Sequence, residues 1–224
     1  MTHPSDFTSR DLFHGCVFAT IAHAIHTVEY SELGFEQSWD DKSYNVSDSE
    51  GSLGTVTFGD NVTVGAFFDS HSNRSPMTSE RPYDLDAMLR EMPTSVRELA
   101  EREALQYLLQ NLDGKEVPLI TTVFWSENDQ LVASEPWEDV LKHGGHLVEV
   151  QLAPVDVAIA RWTSNYGFEP DQVDLLRSLY ERWRAARDSQ VTLTAPDQAV
   201  LTKRGTVGLD VARQLLATIS IIVP

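Results

Sequence analysis

Three short runs between residues 43 and 68 constrain the fold of this chain more than any other feature. SYNVSD (43–48), LGTVTF (53–58) and NVTVGAFF (61–68) are β-branched and aromatic, and they partly alternate apolar with polar residues. Half-buried strands read this way, because successive side chains point to opposite faces of the sheet. Ser49-Glu50-Gly51 and Gly59-Asp60 separate the runs, and turn residues of this kind close tight hairpins. The spacing predicts a three-stranded antiparallel meander with Val56, Phe58, Val62 and Val64 on its buried face.

Helical periods flank the meander. Residues 9–31 predict a helix with Ser9 as cap, Asp11 in the first turn and Gly34 just past the end. At about 100° per residue, Phe13, Val17, Ile21, Ala24, Ile25 and Val28 share one stripe. Cys16, Thr20, His23, His26, Thr27 and Tyr30 fall opposite, on an expected wet side. His14 projects onto the apolar stripe, where a neutral histidine bonded to backbone is expected. Gly15 weakens the first turn, so regular helix is expected after it.

Further along, LDAMLREM (85–92) predicts a helix stopped by Pro93, and residues 95–112 predict another ended by Gly114. VPLITTVFW (117–125) predicts a buried strand, followed by a turn at Glu127-Asn128-Asp129. A short helix at 137–141 ends at Gly144-Gly145, and HLVEVQL (146–152) predicts one more strand. The rest is mainly helical: PVDVAIARWTSN, then 170–188 with Val173, Leu176, Leu179, Tyr180 and Trp183 in its stripe, then 207–223 running into an apolar extended end. The fold class is α+β: an N-terminal helix, an antiparallel sheet with packed helices, and a helical C-terminal part. The expected organisation is an acidic α+β domain over 1–152 and a helical subdomain over 153–224, packed as one globular unit.

Charge narrows the partners. The chain carries 34 acidic and 17 basic residues, a net charge of −17. Residues 1–150 hold 26 acidic and 9 basic residues, whereas 151–224 hold 8 of each. Such a field repels nucleic acid and anionic membranes, which need Lys and Arg against their phosphates. The partner it favours is a basic protein. The single cysteine, Cys16, excludes an internal disulfide and fits a reducing compartment. The polar, acidic start lacks a signal-peptide pattern and no run of 18 apolar residues occurs, so cytoplasmic localisation is expected.

No catalytic or cofactor motif is present: there is no HExxH, paired CxxC, GxSxG, Walker or dinucleotide pattern. His23 and His26, at i and i+3, could share an ion only with a ligand from elsewhere, such as His71, His143 or His146. Cys16 lies two turns before His23, about 10 Å along the axis, and cannot join them. No metal site and no cofactor are expected. The loop Asp69-Ser-His71-Ser-Asn-Arg74 gathers an acid, a histidine and a guanidinium at the end of a predicted strand. Lys142-His143-Gly144-Gly145-His146 could bring backbone amides to an anion or hold a metal, but a glycine helix cap with basic residues beside it is the favoured reading. Trp39, Asp40, Asp41 and Tyr44 suit a basic partner, and also a sheet edge protected by charge.

Two functions follow. The first is an acidic interaction protein that sequesters a basic partner, in the manner of toxin-neutralising immunity proteins. Its binding residues would include Arg74, His26, Tyr30, Trp39, Asp40, Asp41 and Tyr44. The alternative is a hydrolase-type or metal-assisted enzyme that uses His23 and His26 together with the Asp69–Arg74 loop. There His23 or His71 is general base, Asp69 orients it and Arg74 clamps an anion.

Overall fold

Hydroxyl and amide side chains pair across the meander and fix its register. Tyr44 stands opposite Val56 and Asn45 opposite Thr55. Ser43 and Thr57 share a hydrogen bond of 2.8 Å, and Thr55 donates to Asn45 at 2.7 Å. The computed structural model describes residues 2–79, 82–186 and 189–224. Its elements form two compact units, Met1–Phe13 with Asp40–Glu149 and His14–Trp39 with Val150–Pro224.

The first unit starts with strand β1 (His3–Thr8), which runs into helix α1 (Ser9–Thr27). The helix cap is Thr8 rather than Ser9: Thr8 Oγ1 accepts the Asp11 amide, and the Asp11 carboxylate accepts the Thr8 amide in return. Strands β2 (Gln37–Asp40), β3 (Ser43–Ser47), β4 (Ser52–Phe58) and β5 (Thr63–Asp69) follow, then helices α2 (Leu85–Leu89) and α3 (Thr94–Arg102). Next come β6 (Leu109–Leu112), β7 (Lys115–Pro118), β8 (Thr122–Glu127), β9 (Gln130–Ala133) and helix α4 (Trp137–Lys142). Seven strands make one sheet in the order β1-β9-β8-β5-β4-β3-β2, so the predicted meander forms as expected. β6 and β7 stand apart as a hairpin.

Strand β5 is buried from end to end, and alternation sorts it between two covered faces. Val64 and Ala66, with Val123, Trp125 and Val132, pack under Leu89, Val96, Leu99 and Leu105. On the other face Phe67 meets Phe124 at 5.5 Å, and Phe124 meets Trp137 of α4 at 5.3 Å. Rings this bulky need bare backbone opposite them. A Cβ on Gly54 would overlap the Phe67 ring, and one on Gly65 would overlap Phe124. Of the four residues expected on the buried face, Val56 and Val64 are fully buried, whereas Phe58 and Val62 are only partly so.

Three predicted elements differ. The helix expected over 95–112 ends at Arg102, where Glu103 leaves helical geometry; a 3-10 turn and strand β6 take the rest. Asp113 (φ 53) and Gly114 (φ 80) form a two-residue hairpin turn into β7, so Gly114 serves a hairpin and not a helix end. The strand expected over 117–125 divides into β7 and β8. HLVEVQL forms a 3-10 helix (Gly145–Val148) and turns instead of a strand, since a short apolar run is buried equally well in either form. The turn at Asn128 (φ 50) and Asp129 (φ 71) joins β8 to β9 as expected.

The second unit holds most of α1, a 3-10 helix (Ser31–Glu36), and helices α5 (Val155–Tyr166) and α6 (Pro170–Ala186). Strand β10 (Val191–Thr192), helices α7 (Ala195–Leu201) and α8 (Leu209–Thr218), and strand β11 (Ile221–Ile222) complete it. β10 and β11 pair in parallel. Residues 187 and 188, expected to end the α6 helix, lie outside the described residues.

Helix α1 is continuous through Gly15. That glycine permits close passage, since a Cβ there would strike the carbonyl of Gln151. Phe18 stacks on Tyr180 at 4.2 Å and meets Trp162 edge-on at 4.9 Å. Most of the expected wet side is dry: Cys16, Thr20, His23 and Thr27 are fully buried, whereas His26 is half-buried and Tyr30 exposed. Thr20 and Thr27 return their hydroxyl protons to the helix carbonyls of Cys16 and Ala24, so burial leaves them satisfied. Among the described residues, no helix is long and apolar enough to cross a membrane.

Candidate functional site

Where β5 ends, the loop after Asp69 folds on itself in successive turns. Asp69 Oδ1 accepts the His71 amide at 2.8 Å, Ser72 N–H donates to the Asp69 carbonyl, and Ser75 N–H donates to the Ser72 carbonyl. The adjoining start of β8 is fixed by Thr121. Its amide donates to the Phe67 carbonyl at 2.7 Å, its hydroxyl donates to the His143 carbonyl at 2.6 Å, and its Oγ1 accepts the Asp69 amide at 3.0 Å. One threonine therefore joins β5, β8 and the end of α4. Thr121→Val keeps the shape and strands the buried Asp69 amide. Denaturant unfolding is expected to show a loss of about 1–3 kcal/mol.

Between this loop, α2 and the ends of β8 and β9 lies a cavity of about 680 Å³. Its polar wall contains Arg74, Glu135, Thr122 and His143; Ala87, Met88 and Val123 give an apolar wall, and Asp84 sits at the start of α2. Arg74 forks onto Glu135, with Nη1 to Oε1 at 2.8 Å and Nη2 to Oε2 at 2.6 Å. Thr122 donates a further bond to Oε1 at 2.7 Å. The guanidinium is thus used on a carboxylate inside the protein. Tyr83 is also committed: its hydroxyl donates to the Pro118 carbonyl and accepts the Ile120 amide, and burial pushes its pKa up to about 12.

His143 is the exception. It is 5 % exposed, ends α4, and is followed by Gly144 at φ 124, where a Cβ would press on Phe67. The glycine cap expected here exists, and it also points the imidazole into the cavity wall. Nδ1 lies 2.8 Å from Ser72 Oγ, and Ser72 Oγ also accepts the Arg74 amide. The arrangement that satisfies all three groups has the Ser72 hydroxyl donating to Nδ1, which leaves the proton of neutral His143 on Nε2. Among the described residues, none hydrogen-bonds that Nε2. Burial and then the Arg74 charge lower the His143 pKa, which keeps the ring neutral near pH 7. Ser72 itself is 4 % exposed, with its proton already given to His143, so it orients the ring and offers no surface for attack.

The residues expected at a site are dispersed. Asp69 and His71 meet on the loop at 3.6 Å, too long for a firm hydrogen bond, and His71 is largely exposed outside the cavity lining. Arg74 lines the cavity, though as Glu135's partner. His23 and His26 belong to the second unit. There His23 Nε2 donates to the Leu33 carbonyl at 3.1 Å while Nδ1 is buried without a partner among the described residues. His26 stacks on Tyr166 at 4.2 Å, and Tyr30 lies 4.8 Å from it. His14 meets Trp183 edge-on at 5.7 Å.

Trp39 is half-buried with its indole N–H donated to Thr20, and Tyr44 is wholly buried, so the Tyr44 ring is not offered to a partner. Asp40 accepts the Tyr107 hydroxyl at 2.8 Å, whereas Asp41 is exposed at the β2–β3 turn. Burial raises the pKa of the Cys16 thiol, which opposes thiolate chemistry. Among the described residues, no three or more His, Cys, Asp or Glu side chains are grouped to hold a metal ion. Sequence reading missed Glu135, Thr121 and Thr122 at this site; its one available signal was the Gly144-Gly145 pair beside His143. No family model, curated protein or solved structure matches this chain.

Proposed function

We propose that this chain is a binding protein whose first unit captures a basic protein partner. The observation that carries this is where the charge lies. The first unit holds 23 acidic and 9 basic residues, a net −14, and the second holds 11 and 8, a net −3. A field of one sign on one unit speeds encounter with an oppositely charged protein and repels nucleic acid. The lone, buried Cys16 supports a cytoplasmic setting for that partnership. The geometry around Ser72 and His143 supports binding over acyl transfer, because the hydroxyl is enclosed.

Matched charge-removal variants test this. Asp41, Glu98 and Glu116 are exposed in the first unit, and Glu32, Asp174 and Glu181 are exposed in the second. With a partner identified by cross-linking in the source cell and then purified, association is measured at low and high salt. The triple variant D41N/E98Q/E116Q is expected to slow association several-fold at low salt, and E32Q/D174N/E181Q to leave it nearly unchanged. A partner of neutral or acidic charge, or equal effects from both variants, would contradict the proposal.

A further inference from the structure

We infer that the cavity beside α2 receives a lysine or arginine side chain of that basic partner, with an adjacent partner carbonyl accepting the His143 Nε2 proton. This rests on the proposed acidic-binder function and adds the place and chemistry of recognition. Arg74 and Glu135 cancel each other, His143 is neutral, and Asp84 then leaves the described lining residues with a net negative charge. Asp84 uses Oδ1 to accept the Ala87 amide at 2.9 Å, and its Oδ2 has no bond to a described residue. A small anion is disfavoured, since Arg74, the one lining guanidinium among the described residues, is held in a fork by Glu135.

The second, independent observation is the buried imidazole. Its Nε2–H has no hydrogen-bond partner among the described residues and faces the open cavity, where a peptide carbonyl can accept it. Ala87, Met88 and Val123 offer an apolar surface to the methylene stem of a long basic side chain, whose charged end then reaches Asp84. A volume of about 680 Å³ has room for such a side chain together with flanking backbone.

The test uses the full chain, labelled with ¹⁵N, and a blocked Gly-Arg-Gly-Lys-Gly peptide, with a control peptide carrying glutamine at both basic positions. The basic peptide is expected to shift the amides of Ala87, Thr122 and Val123 and the His143 Nε2 signal, and the glutamine peptide to leave them in place. D84N keeps the α2 cap, because asparagine also accepts the Ala87 amide, and is expected to weaken binding roughly fivefold. A87W fills the cavity from an exposed helix position and is expected to abolish binding. Basic-peptide binding that neither variant alters would overturn the cavity assignment while leaving the acidic-partner proposal standing. Absence of peptide binding, or preferential occupation of the cavity by acetate or phosphate, would also overturn it. The triple charge variants, measured with the whole partner, report on the broader proposal separately.

Discussion

Acidification from pH 7 to pH 4.5 is expected to destabilise the second unit by about 2 kcal/mol through His23 alone. His23 is 0 % exposed, and burial, with the neighbouring His26 charge, lowers its pKa from 6.5 to about 4 against the raising effect of its Leu33 bond. The unfolded chain takes up this proton below about pH 6.5, while the folded chain resists it until about pH 4. The stabilisation is therefore complete above the unfolded value and is lost as pH falls through that window. Burial also lowers the His26 pKa, so its contribution has the same sign.

Asp48, Asp171 and Asp197, whose pKa values lie below the ordinary 3.8, lose their stabilisation at lower pH, which leaves the histidine window clear. Urea unfolding midpoints across the window check this. His23→Gln retains a donor for the Leu33 carbonyl and is expected to flatten the dependence. An unchanged slope in that variant would show that other groups cause it.

Phe67→Ala is the second large effect, expected at about 3–5 kcal/mol by denaturant unfolding. The side chain is fully buried between Gly54 and Gly144 and packs on Phe124, so its loss leaves a cavity that β-sheet backbone cannot close. Its position also predicts a local consequence. Gly144 and the Phe67 carbonyl hold the His143 and Thr121 backbone, so the His143 ring is expected to lose its fixed orientation. In ¹⁵N spectra the His143 imidazole signals would broaden or shift. A destabilised variant with unchanged His143 signals would separate the core from the site.

What sequence could reveal depended on whether two physical explanations shared one pattern. The meander was legible because β-branched alternation and turn residues agree only with strands. Helix α6 was legible because Leu176, Leu179 and Tyr180 repeat at helical spacing and lie buried. Residues 105–112 were not, because leucines at 105, 108, 109 and 112 fit a helix while the Asp113-Gly114 turn draws the last four into a hairpin. The face of α1 was misread for a different reason. Thr20, Thr27 and His23 satisfy their polar atoms partly against backbone, and such residues can be buried without any apolar signature. Arg74 was visible as a loop cation. Its partner Glu135, 61 residues away, becomes visible only once the ends of β5 and β9 lie together.

The most direct measurement of partner capture by the first unit is the binding footprint on the ¹⁵N-labelled full chain, titrated with the cross-linked and purified partner. Shifts are expected within residues 2–13 and 40–149, with Ala87, Thr122 and His143 among the largest, and are expected to fade as salt rises. A footprint centred on 150–224, or one indifferent to salt, would contradict capture through the acidic unit.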